Sequence, residues 1–439
     1  MQISKNKKYQ YLFFSILSIF IIFNGGNSNL FIQLNFILIS FFFLNCLKDK
    51  NYNLHFKNFY NQNKKSIIVY IVFLGYLFFQ ILPLPLNILK FFSPEKYIFL
   101  TSNNEIVYSS ISFSPSNSFF QILNFISLFL IVFILRMIFY TDRHKYRLYL
   151  FLSISGFVTS IIGVLFYLYG NPDFFIFRNS FYKEAASGFF INRTVFAVFL
   201  LFCLISSLEL LKKLHKKNNF FLKIYIRLFV IFISIGIITS FSRIGNFLFF
   251  ITIFVYLLNE LFVSKNKNHS FKIIILFIIF FDLLFIGIYF GASEIIDRFY
   301  FLKEEFSHIP GPITTVARFD LIKFAFTEIK NFFFFGYGIG GFENIFQIKF
   351  INSYYWYADH AHSDLVEFFG EFGIIGILLF ILSFIKFFLI KKNYSLINSL
   401  VLIYLSLILL FDFSLHIPII QLLFIIFFYI NKKSYGSSL

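Results

Sequence analysis

Apolar runs long enough to cross a bilayer recur along this 439-residue chain, and they limit its fold more than any other feature. A hydrocarbon core about 30 Å thick is spanned by roughly 20 helical residues. Runs near that length lie at 10–25, 30–47, 67–86, 119–139, 148–169, 189–211, 222–240, 246–263, 272–291, 364–389, 394–412 and 415–430. The expected fold is therefore an all-α polytopic membrane protein of about twelve transmembrane helices. Composition agrees. Only 13% of residues are charged, where a soluble domain carries about 25%, and mean hydropathy is +0.79. The 77 phenylalanines are a compositional bias, so a phenylalanine stripe carries no argument here.

Basic residues test this map, because cytoplasmic loops carry the excess of Lys and Arg. With the N-terminus in the cytoplasm, most of them fall in segments on that side: Lys5 to Lys8, Lys48 to Lys65, Arg136 to Arg147, Lys212 to Arg227, Lys265 to Lys272, Lys386 to Lys392, and Lys432 with Lys433. Both termini are expected in the cytoplasm. The formal charge of +17 then reflects topology and gives no nucleic-acid footprint. The first apolar run follows KNKK as a signal peptide would, but FNGGNSN is a poor cleavage site, so a retained anchor is expected. Cys46 and Cys203 lie in different spans and lack the spacing of a zinc site or disulfide framework.

The opposite face is expected to carry three loops, at 87–118, 170–188 and about 292–362. Within the largest, ARFDLIKFAFTEIKN (317–331) has apolar residues at 319, 322, 326 and 329. That spacing predicts an amphipathic helix at the membrane interface. Trp356, among the tyrosines of NSYYWYADH, suits an interfacial belt.

Ionisable residues gather at the same end of the spans: Arg193, Arg243, Glu367, Glu371, Asp412 and His416, with Arg318, His360 and His362 in or beside the large loop. Asp282 alone is expected near a midplane. Intramembrane ionisable groups are costly and usually functional. A proton-coupled transporter places them at the midplane and carries inverted repeats. This pattern instead favours a site at one surface, acting on something held in the membrane.

Three motifs need weighing. HAHSD (360–364) is close to the HxHxDH zinc motif, but the sixth position is Leu365, and no metal is expected. GYGIGG (336–341) fits GxGxxG, but a dinucleotide site needs a strand–turn–helix unit in a soluble sheet. It is a plain loop, or a turn whose N–H groups cradle a phosphate. Gly370, Gly373 and Gly376 share one helix face and read as a close-packing stripe.

Five ordered pieces carry a resemblance. His362-Ser363, nine residues, then Gly373-Ile374-Ile375-Gly376 fits H-[N/S/Q]-x9-G-x-x-G. GFFINRTVFA (188–197) is similar to G-x-F-x-N-R-N-x-F-A, with Asn192, Arg193 and Ala197 in place and Thr194 where a second Asn is common. SFSRIG (240–245) is similar to S-x-S-R-G, with Arg243 in place and Ile244 inserted. Arg318 opens a loop helix followed by a glycine turn, and DFSLHIP (412–418) fits D-F-x-x-H-x-P. In these pieces the chain resembles bacterial O-antigen ligases and the related polymerases, over roughly residues 185 to 420.

The resemblance implies an N-terminal transmembrane region (1–185, about five helices), an O-antigen ligase-like region (186–430) that includes the 292–362 loop, and a cytoplasmic tail (431–439). It implies a bacterial inner-membrane enzyme resembling class C glycosyltransferases: metal-independent, inverting and without cofactor. Its donor would be an undecaprenyl-pyrophosphate-linked glycan at the outer leaflet. Its acceptor would be lipid A-core or another glycan. Fixed arginines suit a leaving pyrophosphate, so Arg243 and Arg318, with His362 as proton acceptor or hydrogen-bond orienter, are the expected catalytic residues. Arg193, Asn192, Glu367, His360, Asp412 and His416 are expected to bind substrate. A polymerase of lipid-linked repeats is the nearest alternative. A transporter or flippase and a non-catalytic assembly protein are the others.

Overall fold

The computed structural model describes residues 2–101, 107–173, 183–214, 219–263, 318–350, 357–388 and 395–430. The predicted span 272–291 lies outside them, as do Asp282, Trp356, Lys432, Lys433 and the part of the large loop before Arg318. Among the described residues the chain is almost wholly helical, and eight helices are long and apolar enough to cross a membrane. They are α2 (Asn29–Leu47), α3 (Lys50–Ile81), α6 (Pro115–Ile138), α7 (Asp142–Leu168), α8 (Arg193–Leu214), α9 (Phe220–Thr239), α10 with its continuation (Arg243–Phe262) and the first twenty residues of α13 (Asp364–Phe388). Three further helices lie at predicted spans: α1 (Gln2–Ile22), with its three early lysines, and the shorter α14 (Leu396–Phe411) and α15 (Pro418–Ile430).

Helix α8 is the centre of the bundle. It is apolar on all sides, which suits a helix enclosed by others, and its residues from Val195 to Ser207 are buried without a break. Helices α7, α9, α10 and α15 pack around it. The second predicted span is a true helix, with Ser28 accepting a hydrogen bond from the Phe31 N–H as its cap.

Two expectations need correction. The basic stretch up to Lys65 is not a loop. It is the first half of α3, a 32-residue helix. At 1.5 Å per residue that helix outreaches the hydrocarbon core, so its polar first half emerges from it. The 87–118 segment is also structured. It holds most of α4 (Leu86–Phe92), all of α5 (Pro94–Thr101), and Tyr108–Ser109, which pairs antiparallel with Leu84–Pro85 just before the segment.

The loop helix forms as predicted, as α11 (Arg318–Asn331). Its buried face is Leu321, Ala325 and Glu328, packed towards α13. Phe319 and Phe326, half of the apolar row seen in the sequence, point outwards, as an interfacial helix requires. A short helix, α12 (Phe342–Lys349), completes this layer.

Helix α13 is broken at Gly373, whose backbone (φ 63, ψ 175) is non-helical and lies in a region essentially reserved for glycine. The freed backbone groups find partners elsewhere, as an apolar environment demands. The Ile374 N–H donates to the Phe333 carbonyl. The Gln80 amide donates to the carbonyls of Phe335 and Glu371, and the Tyr76 hydroxyl reaches that of Phe372. The glycine stripe is thus only partly a packing device. Gly370 and Gly376 lie against Tyr337 and Tyr76, but Gly373 makes the break.

Candidate functional site

The break also explains the GYGIGG turn. Gly336, Gly338 and Gly340 all have positive φ, and the turn folds over the end of the first half of α13. The Tyr337 N–H donates to the Gly370 carbonyl and the Gly338 N–H to that of Glu371. The Gly340 N–H donates to the Glu371 carboxylate at 2.6 Å. A β-carbon on Gly336 would lie 2.2 Å from the Glu371 carbonyl oxygen. These amides already serve α13, so the turn is a structural clasp and its N–H groups do not form the phosphate cradle considered above.

Asp364, Glu367 and Glu371 stand three and four residues apart, which places them on one helix face. All three are buried and all three meet His416. That histidine comes from the turn Ser414–His416, between α14 and α15. Its Nδ1 bonds Asp364, and its Nε2 lies 3.4 Å from both Glu367 and Glu371. The Leu415 N–H donates to Asp364, and the Asp364 N–H to the Asp412 carbonyl. The Phe368 ring stacks on His416 at 4.2 Å. Burial works against a charged imidazole here, but the Glu367 and Asp364 carboxylates outweigh it and raise the His416 pKa well above the ordinary value.

His360 belongs to the same network. Its Nδ1 lies 2.8 Å from Glu367, whose other oxygen accepts the Ala361 N–H. Burial opposes its protonation, and Glu367 overcomes it, so its pKa is raised. His360, Glu367 and His416 form the one group among the described residues whose donor atoms converge closely enough for a metal ion, within 4.8 Å. His360 Nδ1 and the Ala361 N–H meet the two Glu367 oxygens, and Asp364 meets His416 Nδ1, so the same residues also form an ion-pair network.

His362 is placed differently. Its backbone is left-handed (φ 58), and its ring meets Phe413 edge-on where that of His360 stacks on it. Its Nδ1 is buried and has no hydrogen-bond partner. Burial, and then the charge of Arg318, lower its pKa to about 4. Arg318, first residue of α11, also acts on Asp412, whose pKa burial nonetheless raises. Asp412 otherwise accepts hydrogen bonds from Ser414. The Arg318 charge therefore reaches both His362 and Asp412, although the three are far apart in the chain.

Arg193 and Arg243 open two neighbouring helices. Asn192 caps α8 by accepting the Thr194 N–H at 2.6 Å, and Ser242 caps α10 by accepting that of Gly245 at 3.2 Å. The caps touch, the Ser242 hydroxyl donating to that of Thr194 at 3.2 Å. Helix α8, which Arg193 opens, also contacts the Ser414–His416 turn. Asp364 and Glu371 were absent from the expected site. The signal for them was their shared helix face with Glu367, but their partner lies some fifty residues on.

A bundle of apolar helices that gathers histidines, carboxylates and arginines at one end defines a polytopic membrane protein with a buried polar site. Residues 228–381 match the family model described as O-antigen ligase, and this match supports an O-antigen ligase-like family for the chain. The matched stretch takes in Arg243, Arg318, His360, His362, Glu367 and Glu371 and ends before Asp412 and His416. The family indicates ligase- or polymerase-like activity by a glycosyltransferase-type enzyme, with lipid-linked glycan and acceptor substrates in the membrane. None of the curated proteins compared matches the chain.

Proposed function

We propose that this protein transfers a glycan from an undecaprenyl-pyrophosphate carrier to an acceptor hydroxyl, at the outer leaflet of the bacterial inner membrane. The observation that carries this reading is the buried Nδ1 of His362, which lacks a hydrogen-bond partner and lies within reach of the Arg318 charge. The acceptor oxygen forms a bond to the anomeric carbon as the bond from that carbon to the pyrophosphate oxygen breaks. The bonding pair leaves on the pyrophosphate, and the hydroxyl proton passes late in the step to His362 Nδ1. A single displacement inverts the anomeric centre. Neither step needs a metal or cofactor.

Arg318, with Arg243 and Arg193 as the further candidates, stabilises the charge growing on the leaving group, since a planar guanidinium matches phosphate oxygens. His362 is neutral at pH 7, and a pKa of about 4 makes it a weak base. It is better suited to accept a hydrogen bond from the acceptor hydroxyl and orient it than to remove its proton early. Asp412 borders the same space, while His360, Glu367 and His416 hold the helix end in place. An apolar crevice of about 340 Å³, lined by Phe125, Phe129, Phe368, Phe369, Leu409 and Leu415, lies directly beside Glu367 and His416. In this reading the isoprenoid tail occupies it. The polar groups at one surface favour transfer over transport, and the intact Arg193, Arg243, Arg318 and His362 speak against a non-catalytic assembly role. Lipid A-core fits as acceptor if the protein is a ligase, and another lipid-linked repeat if it is a polymerase.

Purified protein in liposomes, given lipid-pyrophosphate-linked glycan and acceptor, tests this. Arg318→Ala should reduce kcat by about 10²–10³, the usual cost of losing one charge-stabilising donor, and Arg318→Lys should restore part of it. Wild-type turnover in Arg318→Ala would remove the arginine from the mechanism.

A further inference from the structure

Glu371 is buried completely and its two carboxylate oxygens face two different parts of the molecule. One accepts the Gly340 N–H at 2.6 Å. The other lies 3.4 Å from His416 Nε2. Its own carbonyl accepts from Gly338 and Gln80. The residue therefore sits at the one point where three pieces join: the glycine turn that follows the Arg318 helix, the first half of α13 that begins beside His362, and the return turn that carries His416. Two residues later the helix breaks at Gly373. Continuous α-helix would not expose the Glu371 carbonyl to the turn, so the break and the clasp depend on each other.

A buried carboxylate costs free energy unless it is paired and hydrogen-bonded. Packing alone would be served by an apolar side chain at this position, and replacing buried ion pairs with apolar groups is often neutral or stabilising. What a carboxylate adds is direction: it fixes one N–H and one imidazole relative to each other. We propose that Glu371 is a positioning residue for the transfer reaction. It ties the Arg318 layer to the His416 cluster, so that Arg318 and His362 address one substrate. The inference rests on the function proposed above. Glu371 touches no reacting atom in it and acts through Gly340 and His416.

The test uses the full-length protein in liposomes with the same donor and acceptor. Glu371→Gln keeps the shape and one acceptor oxygen but loses the charge that faces His416. It should lower kcat at least tenfold with KM for the donor within about twofold, at unchanged folded yield. In a His416→Gln background it should add little further loss, because the Glu371–His416 link is already broken there. A purely structural role predicts loss of folded protein and additive effects. If Glu371→Gln is not recovered folded, Gly340→Ala tests the same link from the other end. An added β-carbon there meets nothing closer than 3.5 Å, so the left-handed backbone of Gly340 is what the change disturbs, and the same kcat-only loss is expected. Wild-type kcat in either variant, or a double variant whose losses multiply, overturns the proposal. Absence of turnover by the wild-type protein would instead overturn the functional reading itself, and the role of Glu371 with it.

Discussion

His416 is the most constrained residue in the site. It faces Asp364, Glu367 and Glu371 together. Removing one partner of a buried ion pair typically costs about 3–5 kcal/mol. His416→Ala, which would strand three carboxylates, should fall at or above that range, read as a lower unfolding midpoint in detergent. His362 gives a different signature. Its folded pKa, about 4, lies below its ordinary value, so the unfolded chain binds more protons in between. Stability should therefore fall as pH drops from about 6.5 towards 4, and His362→Gln should flatten that acid limb. His360 and His416 are raised, so their contribution is complete below about 6.5 and is lost as pH rises through their folded values. A thermal-shift series across pH separates the two. Among single residues, the sequence marked His362, Arg318 and His416 through motif spacing. It could not show that His360 joins the Glu367 pair while the His362 Nδ1 is left without a partner, because that depends on the fold around a left-handed backbone at His362.

At the scale of elements, the site depends on the broken α13 and its clasp. Gly373→Ala should destabilise by about 1–3 kcal/mol from backbone strain, and more from contact, since its β-carbon would approach the Gly336 N–H and the Phe334 carbonyl at 2.5 Å. Gln80→Leu should cost about 0.5–1.5 kcal/mol for each hydrogen bond lost, because the Phe335 and Glu371 carbonyls keep Tyr76 and Gly338 as donors. Equal unfolding midpoints for wild type and Gln80→Leu would show that α3 does not brace the break. Apolar run length made the long described helices legible and apolar periodicity made α11 so, but the short α4, α5 and α12 were not foreseen. The break was not legible, because glycines three apart look the same whether they pack a helix or interrupt it. The clasp was hidden for a related reason: a glycine-rich turn advertises free N–H groups, and only the fold shows which carbonyls use them.

For the whole molecule, the basic segments predict orientation. A reporter fused after Lys392 should lie in the cytoplasm and one within 300–350 outside it. The opposite result would put Arg318 and His362 on the wrong face for an outer-leaflet donor. Hydropathy conveyed the class of fold, but it carries no information on which helix ends meet, and that meeting assembles the site. The central claim is tested most directly in the native host, on a gel of surface glycans and lipid-linked intermediates. A gene deletion complemented with wild type is compared with one complemented with His362→Ala, at equal membrane levels. The account predicts that the variant accumulates carrier-linked glycan: long chains that never reach their acceptor if the protein is a ligase, single repeats if it is a polymerase. A variant that matches wild type while the deletion does not would contradict the role given to His362.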